Sequence, residues 1–191
     1  MKKKQVALFG GAFDPPHKGH SQVATVVTQD FIDEVWFVPV FKHPWAAKYG
    51  KEVMAPYEDR KAMLELILGK NQKIAEYKEV GYTYPTLQYF EEKYPDTHFS
   101  WIMGSEYISR FDAFLEGHPQ LANYTFYMYP RKGYPLDNLF PNMVGLFGMT
   151  EVAVSSTLVR DTVLSGADLD AFVEPAVLEY IHEHALYTQT R

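Results

Sequence analysis

Residues 9–20 read FGGAFDPPHKGH, with two histidines and a lysine directly behind two glycines and two prolines. Each residue type there has a separate physical use. Gly10 and Gly11 permit a sharp turn and a close backbone approach to a ligand, since neither carries a Cβ. Pro15 and Pro16 stiffen the loop and set the direction in which the next helix begins. His17 and His20 lie three apart at that helix start, so both rings point to one side. Gly19 between them leaves a bare spot where a flat ring or a sugar could rest. Free N–H groups at a helix N-terminus attract phosphate, and two imidazole donors add to that attraction. A His-x-x-His pair also suits a metal, but no third ligand follows at a helpful spacing and the chain has no cysteine. Histidines that merely cap and pack leave the double glycine unexplained.

A second cluster, VSSTLVR, occupies residues 154–160. Ser155, Ser156 and Thr157 gather hydroxyls at a helix start, where backbone N–H groups lack partners. Arg160, one turn on, can return its planar guanidinium to the same anion. Standing alone, the run is a plain N-cap followed by a solvated arginine. His182 and His184, in YIHEHALY, are two apart on a helix and diverge, which marks them as surface residues.

The elements that must position these clusters alternate along the chain. Val6 to Phe9 reads as a buried strand that stops at Gly10-Gly11. Gly19 to Asp30 follows as a helix with Val23, Val26 and Val27 on one face, and Glu34 to Val40 as a second strand. Tyr57 to Leu68 is a helix closed by Gly69, and Lys73–Val80 a weak strand. Thr86–Tyr94 is a helix, while His98 to Met103 and Tyr124 to Tyr129 are strands. Thr157 to Leu164 and Pro175 to Leu186 complete the set as helices. Strands alternating with helices imply an α/β fold with a mostly parallel, open sheet, and no linker or repeat divides residues 1–191 into two domains. In such sheets ligands bind beyond the carboxyl ends of the strands, where Gly10, Pro39 and Gly104 all fall.

Composition narrows the partners. The formal charge is −6, from 24 acidic and 18 basic residues, and a surface of that sign repels nucleic acid and anionic lipid. The absence of cysteine excludes disulfides and thiolate chemistry. The start, MKKKQVALFGGAF, has the look of a signal peptide until Asp14-Pro15-Pro16 interrupts it, and a buried first strand fits better. No apolar run approaches the roughly 20 residues that cross a bilayer, so the expectation is a soluble, cytoplasmic protein without membrane contact.

GGAFDPPHKGH resembles the G-G-x-F-D-P-P-H-x-G-H signature of the nucleotidyltransferases that adenylylate nicotinic acid mononucleotide. VSSTLVR resembles that family's I-S-S-T-x-x-R, and VWFVP, PYEDRKAM and EPAVLEYIHEHALY fit its second strand, the next helix and the C-terminal helix. The resemblance therefore spans nearly the whole chain. It implies a Rossmann-like nucleotidyltransferase fold and transfer of AMP from ATP to the 5′-phosphate of a pyridine mononucleotide, with release of pyrophosphate. Nicotinate mononucleotide is the expected acceptor, with the nicotinamide form left open. The resemblance places His17 and His20 on the ATP phosphates, with His20 and Arg160 nearest the developing charge, and nearby phosphates should favour imidazolium. Gly10, Gly11, Ala12 and Phe13 would give backbone contacts, and Gly19 and Gly104 would border the nucleotide. Glu106 would take the place of an aspartate on the ribose, and Arg131 would add a phosphate contact. Ser155, Ser156 and Thr157 then become the second half of a triphosphate clamp.

For the mononucleotide the resemblance implies Lys51, Tyr82, Thr83, Tyr84, Thr86 and Phe114, the last in place of a stacking tryptophan. Lys42, His43 and Lys48 compete with Lys51 for the role of missing cation, and Trp45 either covers the site or anchors its loop. Pro85 stands where the family often has an acid, removes one N–H and should push Tyr84 into an extended conformation. Mg²⁺ is expected through phosphate oxygens and water, with Asp14 either its ligand or a loop cap. Lys18 should be solvated. The competing readings are a phosphopantetheine adenylyltransferase and a non-catalytic nucleotide sensor; the partners expected are ATP and a pyridine mononucleotide, with a homo-oligomer left open.

Overall fold

The computed structural model describes residues 3–42 and 55–188. Its elements run β1 (Lys4–Gly11), α1 (Lys18–Asp30), β2 (Glu34–Pro39), α2 (Tyr57–Glu65), β3 (Gln72–Ile74), α3 (Thr83–Lys93) and β4 (Thr97–Gly104). They continue with α4 (Phe111–Gly117), β5 (Phe126–Tyr129), β6 (Met143–Gly145), α5 (Ser156–Ser165) and α6 (Pro175–Glu183). Short 3₁₀ turns occupy Ser105–Arg110 and Pro119–Asn123. The strands form one sheet in the order β3-β2-β1-β4-β5-β6, and each neighbouring pair is parallel. This is the Rossmann-like order, and its direction reverses between β1 and β4. The register sets Gly11 beside Pro39, so β1 and β2 finish level on the carboxyl edge.

The sheet is wound on both faces because its strands are apolar on both. Along β1, Ala7 and Phe9 join one core with Val23, Ala24 and Val27 of α1, Met63 and Leu64 of α2, Val159 of α5 and Val177 and Ile181 of α6. Val6 and Leu8 point the other way. There they pack with Trp36, Phe99, Trp101, Leu87 and Phe90 of α3, and Phe111 of α4.

Several bounds differ from those the sequence implies. β6 is absent from the sequence reading: three residues between turn-forming FPN and LFG show no periodicity. The weak strand expected over 73–80 contracts to Gln72–Ile74, and α4 with its flanking 3₁₀ turns is new. The helix expected from Thr86 starts earlier, at Thr83. Tyr84 is consequently helical and not extended, because Pro85 sits in the first turn, where a missing N–H costs no intrahelical bond. The extended residue is Tyr82, at φ −77° and ψ 140°.

One charged side chain of the core bears directly on the site. Arg60 is completely buried in α2. Its guanidinium donates from Nη1 to the Ala12 carbonyl at 2.6 Å, from Nη2 to Val40 at 2.8 Å and from Nε to Ala55 at 3.1 Å. It thus ties the loop after β1, the end of β2 and the entry to α2 together. Replacing Arg60 by Met strands these three carbonyls, and the loss expected from urea unfolding is about 3 kcal/mol or more with an unchanged m-value.

Candidate active site

The carboxyl edge opens into a cleft of about 300 Å³ between the ends of β1, β2 and β4, within the size range of small-ligand sites. Gly10, Gly11, Ala12, His20 and Gly104 line one part, and Tyr82, Thr83, Thr86, Tyr107 and Phe114 another. The two glycines have a second reason to lack a Cβ. At Gly10 that atom would sit 2.5 Å from Trp101 Cζ2, and at Gly11 3.0 Å from Phe13 Cζ. Aromatic rings fill that space, so any larger residue would lift the strand end.

Phe13 holds a left-handed backbone, φ 49°, which is strained for a bulky residue. Packing holds it there: its ring is buried edge-on against Phe9 at 5.6 Å, Phe37 at 5.5 Å and His20 at 4.9 Å. Its side chain therefore braces His20 from below the cleft. Gly19 also faces inward. A Cβ there would meet Val152 Cγ1 at 2.5 Å and the His17 ring at 3.1 Å, so the bare spot expected for a ligand is filled by protein.

The two histidines stack, with ring centroids 3.6 Å apart and planes inclined by 20°. The His17 backbone N–H donates to His20 Nδ1 at 3.1 Å. A neutral His20 must then carry its proton on Nε2, and it lines the cleft with a donor fixed in place. His17 is 3% exposed and does not line the cleft. Burial, followed by the nearby Arg131 charge, pushes the His17 pKa down to about 3. Burial, then His17 and Arg131, also hold His20 well below the ordinary value. The imidazolium form expected beside phosphate is thus disfavoured until an anion arrives, and His20 donates as a neutral ring.

The N-terminus of α1 is less available to phosphate than its sequence suggests. Lys18 N–H donates to the Phe172 carbonyl at 2.9 Å, and His20 N–H to the His17 carbonyl at 2.8 Å. Lys18 points away from the cleft, its Nζ reaching the Asp170 carbonyl at 2.5 Å in an exposed contact. Asp14 is buried and acts as a loop cap, accepting on Oδ1 from Ala55 N–H at 3.0 Å and the Tyr187 hydroxyl at 2.7 Å.

The second motif docks against the first. Ser156 Oγ donates to the Pro15 carbonyl at 2.8 Å, and Arg160 Nη1 to the Asp14 carbonyl at 2.6 Å. Ser155 is the N-cap, with Oγ accepting from Leu158 N–H at 3.2 Å. Arg160 Nη2 leans on Thr157 Oγ1 at 3.4 Å. Helix geometry leaves the N–H groups of Ser156 and Thr157 without intrahelical acceptors, although neither residue lines the cleft. Arg131 adds a cation, with Nη1 anchored on the Val154 carbonyl at 3.0 Å and Nε 3.9 Å from Glu106 Oε1. The other Glu106 oxygen is buried over Gly104 without a partner among the described residues.

On the mononucleotide side, Phe114 is stacked with Phe111 at 6.2 Å and met edge-on by Tyr107 at 6.0 Å. Tyr84 does not line the cleft; half-buried, it packs against the second core and stacks on His118 at 4.9 Å. Thr86 Oγ1 donates to the Tyr82 carbonyl at 2.7 Å. Lys51, His43, Trp45 and Lys48 lie outside the described residues; Lys42 pairs with Val80 in an isolated bridge. Trp101, Tyr107, Arg60 and Tyr187 are site-building residues that the sequence reading missed. Trp101 and Tyr107 carried a signal, since each stands three residues from Gly104, a strand end already placed on the ligand edge.

The sequence family described as cytidylyltransferase-like matches residues 8–162. The chain belongs to that family. Two members similar to it are the probable nicotinate-nucleotide adenylyltransferases of Myxococcus xanthus and Bacillus cytotoxicus. They are 34% and 32% identical over 96% of this chain, covering 94% and 98% of their own length. The fold is also that of the solved Plasmodium falciparum nicotinic acid mononucleotide adenylyltransferase complexed with NaAD. That likeness has a TM-score of 0.77 at 20% identity over 96% of this chain and 97% of the other. Among the described residues no helix is long and apolar enough to cross a membrane.

The buried histidines couple stability to pH. With a folded pKa near 3 for His17 against an ordinary 6.5, the unfolded chain binds more protons throughout that interval. Stability therefore rises with pH across the window and is lost as pH falls, by up to about 1.4 kcal/mol per pH unit for each such ring. Urea unfolding at successive pH values checks this, and His17→Gln should flatten the slope; an unchanged slope would contradict the assignment.

Proposed function

We propose that this chain transfers AMP from ATP to nicotinate mononucleotide, releasing pyrophosphate and forming the dinucleotide precursor of NAD. The observation that carries this reading is the docking of the second motif onto the first. Hydrogen bonds from Ser156 and Arg160 to Pro15 and Asp14 set the N-terminus of α5 against the loop that leads to the histidines, while His20 lines the cleft and Arg131 stands behind it beside Glu106. Relatives alike over nearly the full length bear the name of this activity.

The chemistry asks little of the protein as a nucleophile. A phosphate monoester has a second pKa of about 6 and is already an anion near neutrality. One of its oxygens attacks the α-phosphorus of ATP, a new P–O bond forms, and the bond to the β-phosphate bridging oxygen breaks as pyrophosphate leaves. No proton need be abstracted, so the reaction calls for donors rather than a general base. Catalysis then rests on alignment and on stabilising the charge that builds on pyrophosphate. His20 Nε2, Arg131 and the N–H groups of Ser156 and Thr157 are suited to that charge. His17 holds the His20 ring in its orientation. Arg160 acts through the loop carbonyl it grips.

At the other end Tyr82, Thr83 and Phe114 suit a pyridine ring and its substituent. The first turn of α3 offers N–H donors from Thr83 and Tyr84, while Pro85 offers none. A nicotinate carboxylate accepts from donors alone, whereas a carboxamide also needs an acceptor. This favours the acid. A magnesium ion would arrive with ATP, bound by phosphate oxygens and water and neutralising their charge. Asp14, engaged by Ala55 and Tyr187, fits a cap better than a metal ligand.

Pyrophosphate release measured with ATP and each pyridine mononucleotide in turn tests the reading; release should be faster with the nicotinate form, and none with either would refute it. His20→Ala should lower kcat about 100-fold while the ATP KM changes only a few-fold, since its donor acts on charge that develops in the transition state. Equal losses in both would remove His20 from that role. Phe114→Ala should raise the mononucleotide KM about tenfold and leave that of ATP unchanged, as loss of one stacking ring predicts.

A further inference from the structure

Beyond α6 the chain turns back on itself. Ala185 and Tyr187 both adopt left-handed backbone, φ 47° and 61°, an unfavourable conformation for residues with a Cβ. The turn drives the Tyr187 ring into the protein, where it is 6% exposed. Its hydroxyl ends 2.7 Å from Asp14 Oδ1, 173 residues away in sequence. The same oxygen accepts from Ala55 N–H at 3.0 Å, and the Asp14 carbonyl accepts from Arg160. Asp14 is 3% exposed, three positions before His17.

We infer that Tyr187 is a positioning residue for adenylyl transfer: through Asp14 its hydroxyl fixes the loop from which His17 and His20 are presented to the cleft. The inference rests on the adenylyltransferase reading for its consequence in turnover. A buried carboxylate needs donors, and an L-residue held at positive φ needs a reason. Here one contact supplies both. Asp14 receives a donor from each of two separate segments, the entry to α2 and the turn after α6. With the hydroxyl gone, Asp14 keeps one of those two donors, and the loop can settle in more than one arrangement. His20 Nε2 then loses its fixed aim. Burial first, and then the Asp14 charge, push the Tyr187 pKa up, so the hydroxyl keeps its proton and its donor role across the working pH range. The contact makes no use of substrate-binding groups, so binding of either substrate should be spared.

A control lies on the same C-terminal segment. Tyr180 donates to Asp59 Oδ1 at 2.9 Å, a comparable bond that ties α6 to α2 without touching the histidine loop. Tyr187→Phe and Tyr180→Phe each delete one hydroxyl, and both are assayed well below their melting temperatures. Tyr187→Phe should lower kcat about tenfold with both KM values within twofold, while Tyr180→Phe keeps kcat within twofold. Amide hydrogen exchange provides a readout independent of activity. Exchange across residues 12–17 and at Ala55 should quicken in Tyr187→Phe and not in Tyr180→Phe. The inference is overturned if Tyr187→Phe retains kcat within twofold, or if both variants lose kcat alike, or if exchange in 12–17 is unchanged. A wild-type protein that releases no pyrophosphate would refute the adenylyltransferase reading instead, and the exchange comparison would still decide whether Tyr187 holds the loop.

Discussion

Two arginines hold the loop between β1 and α1 by its carbonyl oxygens, and the site depends on that grip. Arg60 takes Ala12 from within the core, and Arg160 takes Asp14 from α5. A loop containing Phe13 at positive φ and an aspartate away from water has no stability of its own. Guanidinium groups suit the task because their planar N–H forks can meet several carbonyls while remaining charged. Each also belongs to a different supporting element, so the loop is fixed relative to the sheet and to α5 at once. The histidines inherit that precision.

The electrostatics follow from the same packing. The chain is acidic overall, yet His20 lines the cleft with an imidazole donor, and Arg131 stands behind it, 3.9 Å from Glu106. Burial keeps the histidines neutral, which lets them stack at 3.6 Å without repulsion between two charges. A neutral His20 still donates, because the His17 N–H occupies its Nδ1. Under the proposed function, a polyanion would meet Arg131 together with several preset dipoles. Such donors need little reorganisation when negative charge shifts towards pyrophosphate.

The two motifs and the parallel α/β class were legible from the sequence because each rests on local rules. Gly10-Gly11 after an apolar run, and Ser155 before a periodic helix, are signals carried by adjacent residues. What escaped was set by distant contacts. Arg60 in PYEDR reads as an ordinary charge on a helix, and only the fold reveals the three carbonyls around it. Tyr187 stands far along the chain from Asp14, with no local pattern to join them. Gly19 reads as an open surface until Val152 is brought over it. Tyr84 illustrates competition between local rules: the residue before proline tends to be extended, but a helix start at Thr83 overrides that tendency at little cost. The three-residue β6 is recognisable only as a neighbour of β5.

The central claim is that a polyphosphate lies between His20, Arg131 and the N-terminus of α5. A crystal structure with a non-hydrolysable ATP analogue tests it most directly. The account predicts phosphate oxygens within hydrogen-bond reach of His20 Nε2 and of the Ser156 or Thr157 N–H, with the loop carbonyls still held by Arg60 and Arg160. A well-ordered nucleotide whose phosphates lay away from both motifs would contradict it.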